Sequence, residues 1–266
     1  MKIQKVIFTI DDNPHYKMFW RSISRHFSDR FGFHTKLFVI GDDNTDLDEY
    51  QSLHGDVEFV RKVGDIPTII QALIGKFYFT TTELETTWLI GDLDLYPLQT
   101  KLFTDRISKI EDDKYVHLNP YGIARNWRTN LLGIPGYYHV AKGITFRDEL
   151  KLNCSFEEVC RLVYDSKRWG IMFHGLNHNS DNARASKDYG WFCCEEMFSG
   201  EMLRYCDKIV EVDPGNHRTQ RIDREDVYGN YNLDKLKSQL YIDLHAPRPY
   251  EDHSEAIEKI ISIPFD

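Results

Sequence analysis

The segment "TTWLIGDLDLYPL", residues 86–98, limits most strongly what this chain can fold into. An apolar run is followed at once by two aspartates, Asp92 and Asp94. If the segment is extended, side chains at i and i+2 share a face, so the two carboxylates point together while Leu93 and Leu95 face the core. Carboxylates this close repel each other unless a cation lies nearby. The segment therefore predicts a buried strand that ends at a divalent-cation site, where carboxylate oxygens suit magnesium or manganese.

Length, charge and cysteine content exclude several classes of protein. A chain of 266 residues fits one large domain, and its net charge of −9 disfavours a nucleic-acid binder. No apolar run approaches the length of a membrane span, and the N-terminal run is too short for a signal peptide. Five cysteines with no CxxC pair indicate reduced thiols rather than a structural zinc site. We expect a soluble, cytoplasmic protein, with peripheral contact to a membrane left open.

Strands and helices alternate in the first half. Apolar runs predict strands over residues 5–10, 35–41, 57–63 and 86–91. Asn13, followed by Pro14, predicts the start of one helix, and the segment at residues 65–67 predicts another. This order predicts an α/β domain with a mostly parallel sheet.

The second half is less regular. Ser155 and Glu158 form a capping-box pattern that predicts a helix, and strands are predicted over residues 114–122 and 208–212. The stretch 241–252 is predicted to be a strand followed by a proline-restrained loop. The segment "IPGYYHVAKG" predicts a short helix that begins after Pro135 and ends at Gly143, and further helices are predicted at 232–240 and 254–263. Because no repeat or linker separates the halves, we expect one domain over residues 1–266.

The first hundred residues resemble the nucleotide-sugar half of a GT-A glycosyltransferase. The motif "GDLDLYPL" is similar to the DxD motif of that superfamily, and the preceding order of strands and helices also matches. The resemblance implies a Rossmann-like, mostly parallel central sheet flanked by helices. It implies a nucleotide-sugar half at 1–115 and an acceptor half at 116–266, whose C-terminal segment returns to the metal site. Asp94 would be the main ligand of Mn²⁺ or Mg²⁺, and Asp92 would contact the ribose or the metal.

Two other segments acquire roles through the same resemblance. In "DLHAPRPY", His245 would be a third metal ligand and Arg248 would lie against a phosphate. Thr9, Asp11 and Asp12, in the turn "TIDDNPHY", would contact the base or ribose of a UDP- or GDP-sugar.

His174 and His178 are competing metal ligands. Their i, i+4 spacing suits a metal only on a helix, which Gly175 disfavours.

A carboxylate facing the acceptor is expected in "DYGWFCCEEMF". Glu195 and Glu196 occupy the place where the family has an acidic residue at the start of a helix, although Cys194 stands where an aspartate is usual. In an inverting enzyme one of these glutamates would take the proton of the acceptor hydroxyl. In a retaining enzyme it would only orient the acceptor, and the sequence leaves both outcomes open.

The resemblance thus implies transfer of a sugar from a nucleotide-diphosphate sugar to an acceptor hydroxyl, with a glycan as the expected acceptor. A sugar nucleotidyltransferase is the first alternative, but the turn "DDNPHY" lacks the glycine-rich phosphate loop of such enzymes. A phosphatase with Asp11 as nucleophile is weakened because Asn13 replaces the second acid. A non-catalytic protein that binds carbohydrate or nucleotide is the remaining alternative.

Overall fold

The computed structural model describes residues 1–118, 136–165, 208–212 and 220–264. Its main sheet has seven strands in the order β3-β2-β1-β4-β7-β6-β8. They are β1 (Lys5–Asp11), β2 (His34–Gly41), β3 (Gly55–Arg61), β4 (Thr87–Ile90), β6 (Tyr115–Leu118), β7 (His139–Lys142) and β8 (Ile209–Val212). All paired neighbours are parallel except β7, which is antiparallel to both β4 and β6. A smaller sheet, β5-β10-β9, is formed by β5 (Leu95–Pro97), β9 (Arg221–Ile222) and β10 (Asp243–His245).

Helices cover both faces of the main sheet. The described α-helices are α1 (Pro14–Lys17), α2 (Phe19–Phe31), α3 (Thr68–Tyr78), α4 (Gly143–Glu149), α5 (Phe156–Asp165), α6 (Leu233–Lys237) and α7 (Tyr250–Ile261). None of them is long and apolar enough to cross a bilayer. Alternate side chains of β1 enter different cores: Val6 and Phe8 pack in the core that includes α2 and α7, and Ile7 packs in the core with α3 and α5. The predicted α/β class with a mostly parallel central sheet is confirmed.

Local capping signals in the sequence correspond to real hydrogen bonds. The side-chain oxygen of Asn13 accepts from the backbone N–H of His15 at 3.0 Å, at the start of α1. Before α5, the backbone N–H of Glu158 donates to Ser155 Oγ at 3.2 Å, and the backbone N–H of Ser155 donates to Glu158 Oε2 at 2.7 Å. The capping box therefore forms with both of its reciprocal bonds.

The helix predicted between Pro135 and Gly143 is wrong. The described part of this segment contains strand β7, which fills the gap between β4 and β6, and a helix begins only at Gly143. Buried Val140 and Ala141 face opposite cores, which is the alternation of a strand buried on both faces. A side chain at Gly143 would overlap the backbone oxygens of Thr80 and Glu83, in and just after the 3₁₀ turn at Phe79–Thr82, so only glycine fits at this position.

The extended geometry assumed for the two aspartates is also wrong. Strand β4 ends at Ile90, and Asp92 to Leu95 form a turn closed by the Leu95 N–H donating to the Asp92 carbonyl oxygen at 3.1 Å. The chain then enters the small sheet through β5, which is antiparallel to β10 with Leu95 opposite His245. This pairing, rather than a shared strand face, places the aspartates beside the C-terminal segment.

Candidate active site

An open cleft lies at the carboxyl ends of β1 and β4. In sheets of this type, ligands bind in the crevice outside the carboxyl ends of the strands. Polar side chains are contributed to its lining by three parts of the fold: β1 and the residues after it, α3, and the turn after β4. They are Thr9, Asp11, Tyr16, Lys76, Asp92 and Asp94. Five apolar residues complete the lining: Ile10, Ile69, Ala72, Leu73 and Leu93.

Asp94 and His245 come together although 150 residues separate them in sequence. The Asp94 carboxylate oxygen Oδ2 lies 3.5 Å from His245 Nε2, and the Asp94 side chain is only 9% exposed. The small sheet fixes this approach, because the backbone N–H of Ala246 donates to the Asp94 carbonyl oxygen at 2.8 Å. The structure thus juxtaposes two of the three predicted metal ligands.

Two arginines face the same carboxylate. Arg224 Nη2 lies 3.1 Å from Asp94 Oδ2 and 2.6 Å from His245 Nε2, so this nitrogen bridges the two side chains. Arg248 Nε lies 3.5 Å from Asp94 Oδ2, and its guanidinium stacks over the ring of Tyr16 at 4.9 Å. Burial lowers the pKa of Arg248 from its usual value. Arg248 thus lies beside Asp94, while its predicted contact with a phosphate stays a prediction; Arg224 was not predicted from the sequence.

Asp92 has a cationic partner of its own. Lys76 Nζ, on α3, donates to Asp92 Oδ1 at 2.7 Å, and the lysine side chain is only 4% exposed. Burial raises the pKa of the Asp92 carboxyl, and the Lys76 ammonium opposes that increase. The two aspartates line one cleft but are neutralised separately, Asp92 by Lys76 and Asp94 by the arginines. Lys76, like Arg224, was not predicted from the sequence as a site residue.

The three residues predicted to contact the nucleoside lie at the end of β1. The Thr9 hydroxyl donates to the Ala72 carbonyl oxygen, and Asp11 accepts from the Thr68 hydroxyl at 3.0 Å. Burial raises the pKa of Asp11. Asp12 accepts from the Tyr50 hydroxyl at 3.2 Å and lines a neighbouring polar cavity together with Asp11. Asp11 therefore borders both the cleft and this second cavity.

The predicted catalytic glutamates, Glu195 and Glu196, lie outside the described residues, as do the competing ligands His174 and His178.

The donor set suits a divalent cation. Within residues 1–118, 136–165, 208–212 and 220–264, no three His, Cys, Asp or Glu side chains form a ready-made metal site. Asp94 and His245 nevertheless offer an oxygen and an imidazole nitrogen side by side, and the Arg224 guanidinium already places positive charge between them. Magnesium is commonly held by only one or two protein ligands, with water and phosphate oxygens completing its shell. The residues present therefore fit such an ion.

Comparisons with known proteins give similarities of fold. No protein-family model and no curated protein matches the chain. Among solved structures, the glycosyltransferase GlyE of Streptococcus pneumoniae TIGR4 is 10% identical with a TM-score of 0.45; the match covers 98% of this chain and 61% of GlyE. A glycosyltransferase involved in glycosylation of the major capsid of PBCV-1 is 10% identical, with a TM-score of 0.42 and coverage of 97% of this chain and 98% of that chain. The galactosyltransferase LgtC, in complex with donor and acceptor sugar analogs, is 8% identical with a TM-score of 0.46 and 98% coverage of each chain. These similarities concern the fold alone.

Proposed function

We propose that the protein is a metal-dependent glycosyltransferase that moves a sugar from a UDP- or GDP-sugar to an acceptor hydroxyl, with a glycan as acceptor. One observation carries the proposal: Asp94 and His245 meet at the carboxyl edge of the sheet, 3.5 Å apart and beside an open cleft. The guanidinium groups of Arg224 and Arg248 both face the Asp94 carboxylate. An anionic diphosphate suits such a cluster of positive charge.

Each group has a distinct task in this proposal. Asp94 and His245 hold Mn²⁺ or Mg²⁺, which when bound supplies positive charge to the leaving diphosphate. Arg248, held by stacking on Tyr16, binds a phosphate oxygen. Lys76 keeps Asp92 in place on the floor of the cleft, where Asp92 accepts from a ribose or sugar hydroxyl.

Other residues would contact the nucleoside of the donor and the acceptor hydroxyl. Thr9, Asp11 and Asp12 lie where the nucleoside would sit. Glu195 or Glu196 would take the acceptor proton if the reaction inverts the anomeric centre. The protein would act in the cytoplasm in glycan biosynthesis.

A panel of UDP- and GDP-sugars, incubated with the protein and Mn²⁺, tests the proposal. Release of nucleoside diphosphate is the readout, with and without simple sugars as acceptors. We expect turnover with at least one donor, loss of that turnover with EDTA, and a decrease of at least 100-fold in Asp94→Asn and His245→Gln.

Asp234→Asn is the matched control, because this exposed aspartate in the same half of the chain loses the same charge. It should keep the turnover of the wild type. Full turnover in Asp94→Asn, or binding of nucleotide with no turnover of any donor, would contradict the proposal. The second of these results would favour a non-catalytic binding protein.

A further inference from the structure

On the side of the ring away from Asp94, His245 contacts the carboxylate of Asp223, which was not predicted from the sequence. Strands β9 and β10 run parallel, with Arg221 opposite Asp243 and Ile222 opposite Leu244. One residue further along each strand, Asp223 lies beside His245, and His245 Nδ1 is 2.9 Å from Asp223 Oδ1. The small sheet therefore brings this carboxylate to the imidazole face opposite Asp94.

The neighbours of the two ring nitrogens specify one tautomer. A carboxylate only accepts hydrogen bonds, so Nδ1 carries the proton and donates it to Asp223. A guanidinium only donates, so the nitrogen that faces Arg224 at 2.6 Å, Nε2, carries the lone pair. Both contacts specify the same tautomer, in which the Nε2 electron pair accepts the Arg224 N–H beside the Asp94 carboxylate.

Asp223 is itself oriented by the turn that follows β9. The backbone N–H of Arg224 donates to Asp223 Oδ1 at 2.9 Å, and the backbone N–H of Asp226 donates to the Asp223 carbonyl oxygen at 2.8 Å. The Asp223 side chain is 52% exposed, so its contacts contribute little to folding. The small sheet is stabilised separately by the buried pair of Arg221 and Asp243, joined by two bonds of 2.6 Å.

We propose that Asp223 is a positioning residue for the cation site: it fixes the tautomer and orientation of His245 so that Nε2 is presented to a metal ion beside Asp94. This inference rests on the proposed function. A second carboxylate behind a ligating histidine holds the ring and raises its basicity, and removal of such a partner generally weakens metal affinity 10- to 100-fold. The role is therefore exerted through His245, since Asp223 does not line the cleft.

Two measurements on the full chain test this role. The first is the tautomer of His245, read without metal from ¹⁵N chemical shifts of histidine-labelled protein and assigned by loss of the signal in His245→Gln. The wild type should show a protonated Nδ1 and a bare Nε2. Because Arg224 alone also favours this tautomer, the comparison is made in its absence: Arg224→Met should keep the preference, and Arg224→Met combined with Asp223→Ala should lose it. The second is the affinity for Mn²⁺, measured by electron paramagnetic resonance (EPR) with UDP or GDP present. We expect a 10- to 100-fold loss in Asp223→Ala.

Matched variants separate positioning from charge. Asp234→Asn removes a negative charge at an exposed position and should bind Mn²⁺ like the wild type. Asp223→Glu keeps a carboxylate and should recover part of the affinity lost in Asp223→Ala. The same tautomer preference in Arg224→Met with and without Asp223→Ala, or an unchanged Mn²⁺ affinity in Asp223→Ala, would overturn the role of Asp223 and leave the proposed function intact. Absence of Mn²⁺ binding by the wild type would instead contradict the metal dependence itself, and the inference with it.

Discussion

The arginine between Asp94 and His245 should compete with a divalent cation. Arg224 Nη2 contacts both side chains, at 3.1 Å and 2.6 Å, so an ion binding there must displace the guanidinium. Arg224→Met should therefore strengthen the binding of Mn²⁺ in the absence of nucleotide. Methionine keeps a long apolar stem in place of the arginine, so the main change is the loss of charge.

The size of the effect follows from burial. Hydrogen bonds to charged groups contribute about 1.5–3 kcal/mol, and exposed ion pairs contribute at most about 1 kcal/mol. The Arg224 side chain is 34% exposed and that of Asp94 is 9% exposed, which places the contact between these limits. A cost of about 1.4 kcal/mol for displacing Arg224 corresponds to roughly a tenfold lower dissociation constant for Mn²⁺ in Arg224→Met.

The assay is a titration with Mn²⁺ alone, in which EPR measures the free ion. Arg147→Met is the control, since it removes the same charge from α4, where Arg147 pairs with Asp148. The control should bind Mn²⁺ like the wild type. Equal or weaker binding by Arg224→Met would refute the competition, and an equal gain in the control would attribute the effect to net charge.

Three further predictions concern the fold around the site. Burial lowers the pKa of both His26 and His117 to about 3, so below pH 6.5 the unfolded chain takes up protons that the folded chain excludes. Each of these two histidines should lower the free energy of unfolding by about 2 kcal/mol between pH 7.5 and pH 5, as measured by urea unfolding. His26→Gln should reduce the total loss by about half. An unchanged loss in His26→Gln would contradict the role of His26 in this pH dependence. Lys76→Met removes the partner of Asp92, which is one-third exposed, and should lower the free energy of unfolding by about 2 kcal/mol; equal or higher stability would contradict this. Gly143→Ala should cost about 2–3 kcal/mol through overlap with backbone oxygens, and unchanged thermal stability would show that the turn adapts.

Local chemistry made much of the fold predictable from sequence. Apolar runs located the first four strands, and the Asn13 cap and the Ser155–Glu158 box located two helix starts. Strand β7 was misassigned because its length and composition suit either structure, and only its pairing with β4 and β6 decides. Long-range pairing of that kind leaves no local pattern.

Some residues of the candidate site could be named from the sequence, and others could not. The family resemblance named Asp94 and His245, which lie 3.5 Å apart in the structure, but no local signal marks Asp223 or Arg224, which depend on the register of β9 and β10. Lys76 did have a signal, since it lies on α3 among buried neighbours, where an unpaired lysine would be costly. A lysine on the buried face of the helix before a DxD segment could therefore have been predicted to pair with one of its aspartates.

Electron spin-echo spectroscopy of bound Mn²⁺, in the presence of UDP or GDP, tests the central claim most directly. We expect magnetic coupling of the ion to an imidazole nitrogen in the wild type and loss of that coupling in His245→Gln. We also expect coupling to phosphorus of the diphosphate, which requires one ion to contact both the protein and the nucleotide. Bound Mn²⁺ without nitrogen coupling in the wild type, or coupling that survives in His245→Gln, would contradict a cation site built from Asp94 and His245.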